Sequence, residues 1–71
     1  MKVLDLHGTK HHQVSVKVED FILENQYHLP LKIITGNSTR MKVLCFEVIE
    51  RHDFGYFVPS DNLGQIIVLT N

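Results

Sequence analysis

The residues with the clearest capacity for chemistry are an aspartate and a histidine near the start of the chain, in the stretch LDLHG. Asp5 and His7 are two positions apart on a short apolar segment, so a strand projects both side chains to one face. A carboxylate beside an imidazole orients the ring and raises its basicity, as in a general base. In a second interpretation Asp5 bonds loop amides and His7 merely pairs with it. The spacing alone favours that structural interpretation.

A second polar stretch, ITGNS, begins about 30 residues further along the chain, within and after the β-branched run LKIIT. Both LDLHG and ITGNS lie where a strand is predicted to end and a helix to begin. Ligands of open α/β sheets bind at the carboxyl ends of parallel strands. We therefore expect the two loops to be neighbours at one edge of a sheet and to form one site.

Apolar spacing and turn residues predict the elements that hold these loops. Apolar residues at i, i+4, i+7 and i+8 predict a helix from His11 to about Asn25, capped by Thr9. A second helix follows GNST, capped by Ser38 or Thr39 and stopped by Gly55. Runs rich in apolar and β-branched residues predict four strands, at Lys2–Leu6, Leu31–Thr35, Tyr56–Val58 and Gln65–Leu69.

The predicted order of elements is βαβαββ. A strand–helix–strand crossover of this length makes the first two strands parallel, and both helices then cover one face of the sheet. The turn-rich stretch PSDNLG joins the last two strands as a hairpin. We expect a two-layer α/β sandwich with a mixed four-stranded sheet and two helices. With 71 residues, the chain is predicted to be a single domain, 1–71.

Composition and cysteine content indicate a globular domain of a reducing compartment. The hydrophobic fraction of 44% argues against disorder. No apolar run approaches the ~20 residues that span a bilayer, and the N-terminus lacks the apolar segment of a signal peptide. We therefore expect no membrane partner. The single cysteine, Cys45, allows no intrachain disulfide and lies on the apolar stripe of the second helix, which favours a core position and the cytoplasm.

The charged residues are distributed unevenly along both helices, although the formal net charge is only −1. Basic side chains come first and acidic ones later, in the order Lys10, His11, His12, Lys17, then Glu19, Asp20, Glu24, and again Arg40, Lys42, then Glu47, Glu50, Asp53. The helix dipole favours the opposite order by roughly 0.3–1 kcal/mol per charge. We expect a basic edge suited to phosphate, with chance placement of solvated charges as the alternative.

A metal site is a further interpretation of His7, His11 and His12. Two histidines four residues apart can bind zinc on a helix, but His7 precedes the helix and no cysteine or spaced carboxylate completes the set. We expect solvated or phosphate-facing histidines, no resident metal and no required cofactor. A magnesium ion bridged by Asp5 and a phosphate is the alternative left open.

The pattern of LDLHG, an amphipathic helix, a strand ending in IITGN, a second helix and a hairpin resembles the Smr (small MutS-related) domain over essentially the whole chain. The resemblance implies a fold like that of the C-terminal domain of bacterial translation initiation factor three. It also implies a nucleic-acid-binding module of a family in which many members are endonucleases on RNA or DNA.

The same resemblance implies roles for individual residues. Asp5 and His7 match the Asp-Leu-His motif that the family uses in cleavage, and Gly8 matches its closing glycine. Thr35 and Gly36 match the start of the Thr-Gly-x-Gly loop, which in the family approaches the nucleic-acid backbone.

Three positions depart from the family pattern. Ser38 stands where the second glycine of the loop is expected, and the histidine that often follows that glycine is absent. Lys42 stands at the position of an arginine early in the second helix, with Arg40 two residues before it. Lysine keeps the charge of arginine but loses its bidentate fork.

Residues and resemblance together predict an endonuclease acting on RNA, or on DNA, by attack of a 2′-hydroxyl or water on phosphorus. The predicted catalytic residues are Asp5, His7 and Lys42, with N–H groups of the TGNS loop stabilising the phosphorane. The predicted nucleic-acid contacts are Gly8, Lys10, His11, Thr35, Gly36, Asn37, Ser38 and Arg40. One alternative is a non-catalytic module that binds nucleic acid or the ribosome, with or without a larger protein partner. A protein–protein interaction domain is the other.

Overall fold

A computed structural model of the chain describes residues 1–70 and has a four-stranded sheet with two helices. The elements are β1 (Lys2–Asp5), α1 (His11–Asn25), β2 (Leu31–Ile34), α2 (Thr39–Arg51), β3 (Gly55–Phe57) and β4 (Gln65–Thr70). The strand order is β1-β2-β4-β3, with β1 parallel to β2 and the other two pairings antiparallel. The predicted βαβαββ order and mixed α/β sheet are confirmed.

One hydrophobic core lies between the helices and the sheet. Most helix residues at the predicted spacing are buried, whereas Phe21 of α1 and Leu44 of α2 are half-buried. Strand β2 alternates buried Leu31 and Ile33 with partly exposed Lys32 and Ile34. Because alternate strand residues face opposite sides, this pattern places one face of β2 against the helices. Cys45 is fully buried in this core, and burial raises the pKa of its thiol to about 12. The predicted core position of Cys45 is confirmed.

The element ends differ from prediction in ways that the local hydrogen bonds explain. The predicted cap Thr9 is wrong, because the cap position of α1 is Lys10, which has extended backbone and no side-chain cap bond. Thr9 instead accepts a hydrogen bond from Lys17 Nζ at 3.4 Å. Helix α2 ends at Arg51, before the predicted stop at Gly55, and the chain reverses at Asp53 with a φ of 60°.

A tight turn follows β1 and carries His7. In this turn, Leu6–Thr9, the N–H of Thr9 donates to the carbonyl oxygen of Leu6 at 3.0 Å. Gly8 is third in the turn and has a φ of 76°, a conformation that side-chain-bearing residues rarely adopt. Leu6 is fully buried, so the turn is anchored in the core while His7 remains exposed. We call this segment the His7 turn.

Neither helix in the described part of the chain has the length and apolar character needed to cross a membrane.

Candidate functional site

Asp5 and His7 form a hydrogen-bonded pair at the carboxyl end of β1. Oδ1 of Asp5 accepts a hydrogen bond from the backbone N–H of His7 at 2.9 Å and lies 2.9 Å from Nδ1 of the His7 ring. Both side chains are exposed, at 57% for Asp5 and 75% for His7. The backbone bond ends β1 one residue earlier than predicted, because Asp5 bonds the amide two residues on. The same carboxylate therefore shapes the turn and orients the ring.

The charge state of this pair decides which ring nitrogen can act as a base. The hydrogen bonds from His7, first from its backbone and then from its ring, hold the pKa of Asp5 below its usual value. The ionised carboxylate accepts a bond from Nδ1–H, so in the neutral imidazole Nε2 carries the lone pair. Among residues 1–70, Nε2 has no hydrogen-bond partner. Nε2 is therefore available to take a proton from a ligand.

The loop between β2 and α2 lies beside the His7 ring, as predicted. Asp5 pairs with Ile34 in the sheet, and the N–H of Leu6 donates to Ile34 at 3.0 Å, so the two strand ends are adjacent. Gly36 has a φ of 65°, and a β-carbon added there would lie 3.8 Å from Nε2 of His7. The structure thus brings together Asp5, His7 and Gly36 from two loops.

Gly64, in the connection between β3 and β4, holds the β2–α2 loop in place and was not predicted from the sequence. Its carbonyl oxygen accepts hydrogen bonds from the N–H of Thr35 at 2.8 Å and of Gly36 at 3.1 Å. A β-carbon at Gly64 would lie 3.2 Å from the Cα of Gly36, which is tighter than ordinary packing. The one available sequence signal was a glycine directly before the strand QIIVL.

The internal bonds of this loop leave fewer of its groups for a ligand than the sequence suggests. Thr35 is only 6% exposed, and its hydroxyl lies 3.0 Å from the carbonyl oxygen of Gly36 and 3.2 Å from that of Gly64. The N–H groups of Thr35 and Gly36 are both bonded to Gly64. Thr35 therefore anchors the loop, and Asn37 is its exposed residue.

Ser38 occupies a position that needs no glycine. Its φ of −76° and ψ of 110° are extended backbone, and its hydroxyl oxygen accepts a hydrogen bond from the N–H of Met41 at 3.1 Å. Of the two predicted caps, Ser38 is thus the one that caps α2. A serine cap stabilises a helix by about 1 kcal/mol relative to alanine. Ser38 therefore has a capping role at the position where the Smr pattern has its second glycine.

A basic groove lies between the N-terminal halves of the two helices. It has a volume of about 710 Å³, and we call it the α1–α2 groove. Its lining residues are Thr9, Lys10, His11, His12, Ser15, Arg40 and Leu44. The structure thus brings the predicted contacts Lys10, His11 and Arg40 together. His12, Ser15 and Leu44 were not predicted as site residues, although each lies three or four positions from another lining residue on its helix.

Lys42 is not among the residues of the groove. It follows Arg40 by two positions, a rotation of about 200° around a helix, so the two side chains project to opposite sides of α2. One turn beyond Lys42, Phe46 stacks on Tyr56 of β3 with ring centroids 5.0 Å apart. Lys42 therefore lies on the side of α2 that faces β3, whereas Arg40 lies on the side that faces α1.

The distribution of charge along both helices supports the predicted basic edge. Neither helix has an acidic residue in its first turn, and α1 has no basic residue in its last turn; Arg51, in the last turn of α2, is the exception. Within residues 1–70, no three His, Cys, Asp or Glu side chains are grouped so that they could hold a metal ion.

Comparison of the chain with known protein families, with curated proteins and with solved structures finds no match. The resemblance to the Smr domain stays a prediction that rests on the motif residues.

Proposed function

We propose that this chain is a nucleic-acid-binding domain that cleaves RNA phosphodiester bonds, with His7 as general base and Asp5 as the residue that orients it. One observation carries the proposal. The exposed His7 ring bonds Asp5 through Nδ1, and its unpartnered Nε2 faces the Gly36 loop. Such a ring has one nitrogen fixed by a carboxylate and the other open to substrate.

In the proposed reaction, Nε2 of His7 takes the proton of a 2′-hydroxyl as its oxygen attacks the adjacent phosphorus. The new P–O2′ bond forms, the P–O5′ bond breaks, and the imidazolium returns the proton to the leaving 5′-oxygen. The Asp5 carboxylate stabilises the imidazolium between these two steps. On DNA, which lacks the 2′-hydroxyl, water is the nucleophile.

The phosphorane that forms in this reaction carries additional negative charge, and cations or N–H groups nearby stabilise it. Arg40 is better placed for this role than Lys42, since Arg40 lines the groove next to the His7 turn. The exposed Asn37 beside Gly36 is a second candidate donor. The proposed reaction requires no cofactor. In a metal-dependent form of the reaction, Asp5 and a phosphate would together hold a magnesium ion.

A non-catalytic module that binds nucleic acid or the ribosome is the second candidate. It is favoured by the internal use of the loop groups, because the N–H groups of Thr35 and Gly36 bond Gly64 and Ser38 caps α2. With fewer free N–H donors, the loop has less to stabilise the additional negative charge of a phosphorane, whereas binding through the basic groove does not depend on those donors. In this case the protein still contacts RNA or DNA through the basic groove.

The test incubates end-labelled single-stranded RNA, structured RNA and DNA with the wild type, His7→Ala and His28→Ala, each with magnesium or EDTA. His28 is a matched control because it is also exposed and lies in the loop after α1. Cleavage that is lost in His7→Ala and kept in His28→Ala supports the proposal. Cleavage by His7→Ala at the wild-type rate contradicts it.

Two further outcomes distinguish the alternatives. Salt-sensitive binding of oligonucleotides without cleavage by any variant selects the binding module. No binding to any nucleic acid contradicts both the proposed cleavage and the binding module, and leaves the protein–protein interaction domain as the remaining alternative.

A further inference from the structure

The α1–α2 groove is next to the Asp5–His7 pair but separate from it, since neither of those residues lines it. Its residues fall into two groups by exposure. Lys10, His11, His12 and Arg40 are exposed, whereas Thr9, Ser15 and Leu44 are half-buried. The groove therefore has a basic rim, contributed by both helices, and a floor of two hydroxyl groups and one apolar side chain.

The lining of the groove attracts anions. None of its lining residues, all of which the structure describes, is acidic. A further cation lies at its edge, because Lys17 Nζ donates to the hydroxyl of Thr9 at 3.4 Å. The acidic residues nearest in sequence to the lining are Glu47, three positions after Leu44, and Asp5 and Glu19, each four positions from a lining residue, and all three lie outside the lining. An anion in the groove thus meets positive groups on both walls.

The size of the groove limits what it can hold. Its volume of about 710 Å³ lies within the range of roughly 300–1,000 Å³ that is typical of small-ligand sites. Leu44 offers its exposed surface to a base or sugar only if that base is unpaired, because the faces of bases in a duplex are covered by their neighbours.

The groove begins where the His7 turn ends. Thr9 lines the groove and follows His7 by two residues, so their Cα atoms are at most about 7 Å apart. This distance is comparable to the extent of one nucleotide along a strand. A chain with a phosphate opposite His7 therefore reaches the groove with its neighbouring nucleotide.

We propose that the α1–α2 groove binds one unpaired nucleotide next to the phosphate opposite His7, and so selects single-stranded nucleic acid. The placement of the phosphate rests on the proposed function. Lys10 and Arg40, on opposite walls, bind the phosphates on the two sides of this nucleotide. Leu44 contacts its base or sugar. Duplex nucleic acid binds more weakly because it offers the groove its backbone alone.

The test measures binding by fluorescence anisotropy in the His7→Ala background, where the proposed cleavage is absent. The probes are a labelled ten-nucleotide oligouridylate and a blunt RNA duplex of equal length. Arg40→Gln and Lys10→Gln each remove one positive charge from the rim. Lys2→Gln is the matched control, because Lys2 is exposed at the opposite end of β1 from the His7 turn. Circular dichroism checks that each variant is folded.

Arg40→Gln and Lys10→Gln are each expected to weaken oligouridylate binding about tenfold. Each is also expected to reduce the salt dependence by about 0.7 in the slope of log affinity against log salt. Leu44→Ala is expected to weaken binding without changing that slope, because it removes an apolar contact. Lys2→Gln is expected to bind like its parent, and the duplex more weakly than the single strand.

Equal losses in Lys2→Gln and Arg40→Gln, or equal affinity for duplex and single strand, overturn the groove proposal. The outcomes also separate the groove from the proposed cleavage. If the wild type cuts no substrate while the rim variants lose binding, the groove stands and cleavage fails. If the wild type cuts RNA in a His7-dependent way while the rim variants bind normally, cleavage stands and the groove fails.

Discussion

Within residues 1–70 there are two carboxylate–imidazole pairs, one beside the N-terminal ends of the helices and one near the C-terminal end of α2. At the end with the groove, Asp5 Oδ1 lies 2.9 Å from Nδ1 of His7. At the other end, Glu19 Oε2 lies 2.8 Å from Nε2 of His52 and 3.4 Å from Arg51 Nη2. The chemistry of the two pairs is nearly the same. Their surroundings are opposite.

The second pair connects two elements, since Glu19 is on α1 and His52 caps the end of α2. Its side chains are less exposed than those of the first pair, at 38% for Glu19 and 26% for His52. Asp20, Glu50 and Asp53 lie beside this pair in sequence and outnumber Arg51, so the excess negative charge there disfavours a phosphate. An Asp–His or Glu–His contact therefore does not by itself mark a functional site. Greater exposure and a basic neighbourhood distinguish the Asp5–His7 pair from the Glu19–His52 contact, which links the two helices.

The largest expected difference is between His7→Ala and His52→Ala in RNA cleavage. His7→Ala should lower the cleavage rate by about 10²- to 10⁴-fold, the usual contribution of general acid–base catalysis. His52→Ala should leave the rate unchanged and lower Tm by a few degrees, because it breaks the tie to Glu19. Cleavage rates and thermal melts of both proteins check this, and equal rate losses in both would refute the distinction.

Asp5→Asn should lower cleavage less than His7→Ala does, by about 10- to 100-fold. The amide oxygen of asparagine still accepts from the backbone N–H of His7, so the turn is retained. The neutral amide no longer stabilises the imidazolium. Single-turnover rates measure the effect, and Glu19→Gln serves as the matched control at the other pair. A loss in Glu19→Gln as large as that in Asp5→Asn contradicts the assignment.

Two glycine substitutions, Gly8→Ala and Gly36→Ala, distinguish the effect of backbone strain on stability from the effect of a methyl group close to the His7 ring on cleavage. Both glycines have positive φ, 76° for Gly8 and 65° for Gly36, so each alanine should destabilise the fold by about 1–2 kcal/mol. Only Gly36→Ala adds a methyl group next to Nε2 of His7, at 3.8 Å, whereas nothing lies within 4 Å of a β-carbon at Gly8. Urea denaturation should therefore give similar losses for both, and cleavage should fall further in Gly36→Ala. Equal cleavage in the two proteins would remove Gly36 from the site.

The smallest expected effect is a pH dependence of stability that comes from the second pair. The hydrogen bond from His52 lowers the pKa of Glu19 from its usual 4.5. At pH values between the lowered pKa and 4.5, Glu19 is more protonated in the unfolded chain than in the folded one, so the free energy of unfolding rises with pH through this window. The stabilisation from Glu19 is lost as the pH falls through the lowered pKa.

Thermal melts of the wild type and Glu19→Gln from about pH 3 to pH 7 test this. The wild type should lose Tm more steeply on acidification, because glutamine does not titrate. The pKa of Asp5 is also lowered, so the Asp5→Asn variant measures how much of the fall in Tm on acidification comes from the first pair. Identical acid slopes in the wild type and Glu19→Gln would disprove the contribution of Glu19.

Much of the fold follows from local pattern. The helical spacing of Val14, Val18 and Ile22 predicts the face of α1 that is buried, and the bounds of that helix agree with prediction. The predicted cap fails at Thr9 because capping depends on side-chain geometry within a single turn, where residue type alone leaves several candidates. Likewise Ser38 and Thr39 were equivalent by type, and only the bond to Met41 separates them.

The candidate site was predicted in part. Asp5 and His7 form their pair because they are close in sequence, and the two loops meet because parallel neighbouring strands end at one edge. The role of Gly64 was missed, since it depends on β4 lying next to β2, where Gln65 pairs with Ile34. No local pattern contains that pairing.

Local sequence is enough to predict the βαβαββ order, the apolar faces of both helices and the contact of Asp5 with His7, because each depends on residues a few positions apart. Tertiary packing was needed to show that Arg40 rather than Lys42 faces α1, that Thr35 is buried as an anchor, and that a basic groove lies between the helices. The physical reason is that helical period fixes which residues share a side, whereas packing against the sheet fixes where that side points.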